Sequence, residues 1–256
     1  MTEETLPLLY EVDGAVARLT LNRPEKKNAL NAALIADLKK ALRQANEDNG
    51  VRVVVITGTG PDFCSGADLS ALELISKASV AENTDDARSL MEIFVLIRQL
   101  GMPVIAAVRG RALAGGCGLA SACDIVLASS NARFGYPEVK IGFVPAMVMA
   151  ILRRNISEKR AFELVTRGAQ IGADEAREIG LVNQMFEDET FDEQVAGYAQ
   201  GFLGMSKSAL ALTKNLLYQM DGMAFTEAIE TAVETNVIAR MTEDCQKGTS
   251  QFLKRS

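Results

Sequence analysis

A chain of 256 residues with 48% hydrophobic content suffices for one sizeable core. Its formal charge of -6, from 33 acidic and 27 basic residues without any block of like charge, offers no electrostatic footprint for nucleic acid or anionic lipid. The absence of histidine excludes Ser-His-Asp and Cys-His nucleophilic systems and every His-ligated metal site, so a general base must be a carboxylate, Lys, Tyr or Cys.

Met1 to Pro7 is short and acidic and lacks an apolar h-region, and no apolar run approaches the roughly 18 residues of a membrane span. The expectation is a soluble, unexported protein that uses no membrane. Cys64, Cys117, Cys123 and Cys245 show no CxxC pairing and do not make a disulfide scaffold, which points to the cytoplasm.

Two alternating runs, Leu8 to Val12 and Ala15 to Leu21, flank Asp13-Gly14 and predict a hairpin. From Asn31, read as an N-cap, Leu34, Leu38, Ala41, Leu42 and Ala45 recur at helical spacing. The β-branched run Val51 to Thr57, together with Val104 to Val108 and Ile125 to Ala128, is expected of strands covered on both faces. Asp85 to Leu100 and Cys117 to Ala122 are helix-compatible, so strands alternate with helices in an α/β order. After Pro145 the pattern turns helical, with Ser157 and Asp174 or Asp192 as start signals and an amphipathic run from Phe225 to Met241. No linker or low-complexity stretch divides the chain, and the early strand-strand-helix order is a candidate structural repeat.

Three segments are candidates for chemistry. Val104 to Ala120 runs from buried strand into helix through Gly115 and Gly116, where free N–H groups at a helix start favour a developing oxyanion; the alternative is that these glycines only permit close packing. There is no GxGxxG and no GK[ST], so phosphate cradling is not expected. Gly58 to Leu69 leaves a strand at its carboxyl end, where open α/β sheets bind ligands. In Phe134 to Gly142, Glu138 follows Pro137; burial would raise its pKa toward acid-base use, whereas pairing with Lys140 at the surface would make it inert.

Together, Asn22-Arg-Pro with Asn28-Ala-Leu, Phe63-Cys-Ser-Gly-Ala-Asp-Leu, Ala112-Leu-Ala-Gly-Gly-Cys-Gly-Leu-Ala with Cys123-Asp-Ile, Phe134-Gly-Tyr-Pro-Glu and Gly180-Leu-Val resemble the crotonase (enoyl-CoA hydratase/isomerase) superfamily, from about Asn22 to Arg255. The resemblance implies an α/β fold, a spiral of ββα units over 1–195 carrying an acyl-CoA site, followed by a helical oligomerisation region over 196–256 that builds homotrimers or hexamers. It implies an oxyanion hole from the backbone N–H groups of Ala67 and Gly115, with Glu138 as the catalytic carboxylate. It also implies substrate contacts at Lys26, Ser65, Leu69, Gly116 and Gly118, and at the C-terminal Phe252 and Lys254. The implied substrate is an acyl-CoA thioester; CoA belongs to the substrate, and no separate cofactor, metal or nucleic acid is expected.

The chain departs from the family pattern twice. Gly118 stands where hydratases carry their first catalytic glutamate, leaving Glu138 alone, and Phe143-Val-Pro-Ala-Met-Val-Met replaces a glycine-rich turn after Gly142. Family frequency favours a hydratase or lyase acting on 2-enoyl-CoA. The single carboxylate favours the alternative, a 3-enoyl to 2-enoyl-CoA isomerase that moves one proton between C2 and C4. A non-catalytic acyl-CoA-binding protein is the third reading. Asp68 and Asp124 are read as structural, and Cys117, with no His partner, is not a nucleophile.

Overall fold

β1 (Leu8–Asp13) and β2 (Val16–Leu21) form the expected hairpin, closed by pairing of Asp13 with Val16. The turn is Gly14-Ala15, one residue later than the Asp13-Gly14 dipeptide suggested. Gly14 takes φ +57°, a conformation glycine supplies without a Cβ clash. The computed structural model describes residues 6–254, and for Leu69, Ser70 and Leu72 the backbone alone. Most of Met1 to Pro7, Arg255 and the side chain of Leu69 therefore lie outside the described residues.

α1 (Ala32–Glu47) starts at Asn31, whose side chain accepts a hydrogen bond from the Leu34 N–H at 2.9 Å. β3 (Val53–Gly58) follows, then α2 (Leu69–Lys77) and α3 (Val80–Gln99). α2 was not expected, and α3 begins five residues before Asp85. Its start is a capping box, Ser79 with Glu82, a signal legible in the Ser-x-x-Glu spacing.

Two further spiral turns follow. β4 (Val104–Val108), β5 (Arg111–Leu113) and α4 (Gly115–Ala122) form one; β6 (Ile125–Ser129), β7 (Arg133–Gly135) and α5 (Ala146–Asn155) form the next. Stacking pairs β4 with β6 and β5 with β7, both in parallel. α6 (Glu158–Arg167), β8 (Gln170–Gly172), α7 (Ala173–Glu178) and β9 (Gln184–Phe186) complete the core. The large sheet runs β1-β2-β3-β4-β6-β9 and the small one β5-β7-β8.

The unbroken apolar strands are explained by two covers. Val54, Ile56, Val104 and Ala106 face the main core with Leu34, Leu38, Ile93 and Ile97. Val53, Val55, Ile105 and Ala107 face the other way, against Phe191, Val195 and Ala199 of α8 (Phe191–Gln200). α8 thus spans residue 195 and belongs to the sheet's second cover. Asp174 and Asp192 lie in the first turns of α7 and α8 rather than capping them; Ser157 holds the N-cap position of α6 without a side-chain bond.

α9 (Lys207–Gln219), α10 (Phe225–Met241) and α11 (Glu243–Leu253) end the described chain. Lys214 of α9 is buried and donates to Ile97 O, Met102 O and Asp124 Oδ2 at 2.7, 2.9 and 2.7 Å. Asp124 also accepts from the Val104 N–H and from the Tyr218 hydroxyl, so both charges of this pair are hydrogen-bonded. On α10, Phe225, Ile229, Val233, Val237 and Met241 recur every fourth residue and are exposed. Among the described residues, no helix is long and apolar enough to cross a membrane.

Candidate active site

Two tight loops meet at the end of the strands. Gly66 has φ +95°, and a Cβ built there would fall 2.7 Å from Ala114 Cβ, 3.0 Å from Leu113 O and 3.5 Å from Gly115 N. The residue preceding Ala67 is therefore pressed against the amide of Gly115. Only glycine fits, on both conformational and steric grounds.

The direction of each amide follows from the carbonyl on the same peptide. All described peptides are trans, so N–H and C=O point opposite ways. Gly66 O accepts from the Leu30 N–H at 2.7 Å, which turns the Ala67 N–H away from that pairing. Ala114 O accepts from the Gly118 N–H at 2.9 Å in the first turn of α4, which turns the Gly115 N–H outward from the helix start. Ala114 itself has φ +51°, a left-handed value that costs an alanine on the order of 1–3 kcal/mol. Its N–H, donating to Gly135 O at 2.9 Å, ties that strained residue to β7.

Gly116 serves a different purpose. A Cβ there would lie 2.3 Å from Cys64 O, so this glycine lets α4 pack closely on the backbone of the Cys64 loop and faces the protein interior. Gly118 likewise faces side chains, since its Cβ would lie 2.3 Å from Val148 Cγ1 and 3.4 Å from Phe94 Cζ. Packing thus accounts for Gly116, whereas Gly115 stands at the first position of α4 with its amide turned outward.

Glu138 sits in a 3-10 turn, Pro137–Ile141, that follows β7; its carbonyl accepts from the Phe143 N–H at 3.0 Å. Its Oε2 is buried and has no hydrogen-bond partner among the described residues. Burial pushes its carboxyl pKa upward, with no contribution from Lys140. The surface ion pair considered above is therefore not what this carboxylate makes. Burial also pushes the Cys117 thiol up to about 11, with the charge of Glu138 among the smaller causes, and Cys64 up to about 12. Both sulfurs stay protonated at neutral pH.

Lys26 is exposed at the end of the Pro24–Lys26 turn, and Ser65 is half-buried, donating its N–H to Lys27 O at 3.0 Å. The backbone of Leu69 opens α2. Phe252 and Lys254, at the end of α11, are exposed, and α11 packs on α9 and α10. Gly66, Ala114 and Val148 lie in segments the sequence singles out, yet the sequence marks none of them as a site residue, and they carry much of the site's shape. The φ demand of Gly66 and Ala114 is a property of folded backbone, and Val148 is distant in sequence from Gly118. Asp68 pairs with Arg23 at 2.7 Å, consistent with a structural part for that carboxylate. Among the described residues, no cluster of Cys, Asp and Glu has the makings of a metal site.

Residues 11–256 match the family model for enoyl-CoA hydratase/isomerase. The chain is 35% identical to the 2,3-dehydroadipyl-CoA hydratase of Escherichia coli, over 94% of this chain and 92% of that one. It is 33% identical to the crotonyl-CoA hydratase of Syntrophomonas wolfei, over 97% and 95%. The crystal structure of an enoyl-CoA hydratase from Mycobacterium smegmatis superposes with a TM-score of 0.92 at 32% identity, covering 97% of this chain and 96% of that one. With the ββα spiral, the converging glycine loops and these matches in agreement, the chain belongs to the enoyl-CoA hydratase/isomerase family, the crotonase superfamily of acyl-CoA enzymes.

Proposed function

We propose that the enzyme binds an acyl-CoA thioester with its carbonyl oxygen between the N–H groups of Ala67 and Gly115, and that Glu138 moves the proton whose loss creates the enolate. Two preorganised amides act where negative charge develops, and such donors are worth about 10²–10³ each in rate. A carboxylate held above its usual pKa is matched to proton transfer near neutral pH.

Among the family's reactions, double-bond isomerisation is the one the geometry supports best. The carrying observation is the contact between Gly118 and Val148: the place of a second carboxylate holds an isopropyl group and a phenyl edge. Hydration needs a water that is both oriented and deprotonated, together with a proton for the α-carbon. Isomerisation needs one base: Glu138 takes the C2 proton of a 3-enoyl thioester, the dienolate is held by the amides, and the same proton returns at C4 to give the 2-enoyl thioester. No resident cofactor enters this scheme.

Hydration or a related lyase reaction is the second reading, favoured by the hydratase names of the relatives in Escherichia coli and Syntrophomonas wolfei. Purified protein incubated separately with 3-enoyl-CoA and 2-enoyl-CoA distinguishes them. Isomerase activity generates the 2-enoyl absorbance from the first; hydration consumes it in the second. CoA-thioester binding without turnover of either would instead identify a non-catalytic binding protein.

Lys26, Ser65 and the backbone of Leu69 are proposed contacts for the CoA portion; Gly116 and Gly118, which abut Cys64 and Val148, bear on the site through packing and not by touching substrate. Phe252 and Lys254 are proposed to reach CoA across a subunit boundary. The exposed stripe Phe225, Ile229, Val233, Val237 and Met241 supports assembly into a homotrimer or hexamer, since so long an apolar face favours burial. Four free thiols support a reducing cytoplasm as the compartment.

A further inference from the structure

Gly66, at φ +95°, adds no side-chain restraint to the peptide before Ala67, so the orientation of that peptide depends on its hydrogen bonds and neighbours. One hydrogen bond, from the Leu30 N–H to Gly66 O, sets the plane of that peptide directly. The Asp68 N–H returns the pairing by donating to Leu30 O at 3.0 Å. What keeps these two stretches in register is therefore what keeps the Ala67 N–H aimed.

A single side chain spans both. The guanidinium of Arg23 donates through Nη1 to the carbonyl of Ala29, immediately before Leu30, and through Nη2 to Asp68 Oδ2 at 2.7 Å, immediately after Ala67. The pair is largely buried, with side-chain exposures of 14% and 8%. Arg23 is itself fixed: its N–H donates to Asn28 Oδ1 at 2.8 Å, its carbonyl accepts from the Asn28 N–H at 2.9 Å, and Asn28 donates onward to Thr59 O and Asp62 O. A planar fork of fixed donors suits this task, since it restrains angle as well as distance.

We propose that Arg23 is a positioning residue for the oxyanion hole, acting through Asp68 and Ala29 to hold the Ala67 N–H toward the thioester oxygen. The proposal rests on the reading of Ala67 as an oxyanion donor. Loss of the clamp lets the glycine-hinged peptide sample other orientations, weakening the grip on the enolate while leaving most ground-state contacts to CoA in place. A displacement of this kind far from the bond-making atoms can lower turnover by about 10-fold to 100-fold.

The test measures the carbonyl stretch of bound crotonyl-CoA labelled with ¹³C at the thioester carbon, in the wild type and in Arg23→Met, Arg23→Lys and Asp68→Asn. Enzyme turnover is measured in parallel on whichever of 3-enoyl-CoA or 2-enoyl-CoA the wild type converts. In the wild type, binding lowers the stretch; no lowering there defeats the oxyanion reading itself, independently of Arg23. Given a wild-type shift, the expected result is a smaller shift in Arg23→Met, kcat down about 10-fold to 100-fold, and KM within about threefold. Arg23→Lys, able to reach one partner at a time, falls between. Asp68→Asn replaces the charged acceptor by a neutral, weaker one, so a smaller shift and a lower kcat are expected there as well, and it decides the matter if Arg23→Met does not fold. A folded variant that retains the full wild-type shift and turnover overturns the proposal.

Discussion

Val148 Cγ1 stands 2.3 Å from the point that a Cβ on Gly118 would occupy, so α4 and α5 touch at the position where the resemblance to the family's hydratases implies a glutamate. The two departures from the family pattern are thereby one feature. The glycine at 118 admits Val148, and Val148 arrives on α5, the helix that follows the unusual Phe143 to Met149 stretch. Phe94, from α3, closes the same space at 3.4 Å.

Restoring a glutamate at 118 should therefore fail when done alone. Gly118→Glu forces an acidic side chain into filled apolar space, and overpacking together with a buried polar group is expected to destabilise the fold by at least about 3 kcal/mol. Adding Val148→Ala vacates part of the volume and should recover a fraction of that loss. Urea unfolding of the single and double variants measures the coupling; additive effects would refute the interlock.

Glu138→Gln is expected to reduce turnover by roughly 10²–10⁴ with affinity for a CoA thioester nearly unchanged. Because burial raises the pKa of Glu138 and the base must be ionised, the acid limb of the wild-type rate profile should lie above the ordinary carboxylate value of about 4.3. The stability sign is opposite to that of a salt-bridged acid. With the folded pKa raised, the burial penalty is absent below the unfolded pKa and grows as pH rises through the folded one. Glu138→Gln should thus melt no lower than wild type at neutral pH, which calorimetry at two pH values checks. A melting point that falls at neutral pH would assign the residue a structural part instead.

Gly66→Ala tests the convergence of the two loops. The added methyl meets Ala114 Cβ at 2.7 Å and requires φ +95°, so it must displace the Ala67 or the Gly115 amide. Turnover should drop by about 10²–10³, the loss associated with one oxyanion donor. Steady-state kinetics on folded protein provides the check, and a drop under about threefold would speak against shared oxygen binding.

Lys214 and Asp124 predict a stability effect away from the site. Removing the lysine leaves a mostly buried carboxylate with its hydroxyl and amide partners but without its counter-charge, and orphans two carbonyls. Lys214→Met should cost about 3–5 kcal/mol in urea unfolding, with kcat per folded molecule little changed. A cost below about 1 kcal/mol would mean that the interaction is solvent-screened.

The sequence by itself determined the framework. Paired period-2 runs around a glycine, a capped amphipathic helix and β-branched strands identify their elements because local geometry dictates side-chain spacing, and the glycine loops with Pro137-Glu138 led to the family and to a single carboxylate. α2, with the sequence LSALELISK, carries apolar residues at helical spacing and escaped because Leu69 reads as the end of a loop, whereas the first turns of α3, Val80 to Asp86, are mostly polar and are marked only by the Ser79–Glu82 cap. Tertiary structure alone decided the rest: that Gly116 packs on Cys64 while Gly115 opens α4 with its amide turned outward, that Glu138 holds a buried carboxylate oxygen and no ion pair with Lys140, that Val148 fills the space at Gly118, and that Arg23 joins Ala29 to Asp68. Each of these depends on which residues distant in the chain come within a few ångströms, and on backbone angles that only the closed fold imposes.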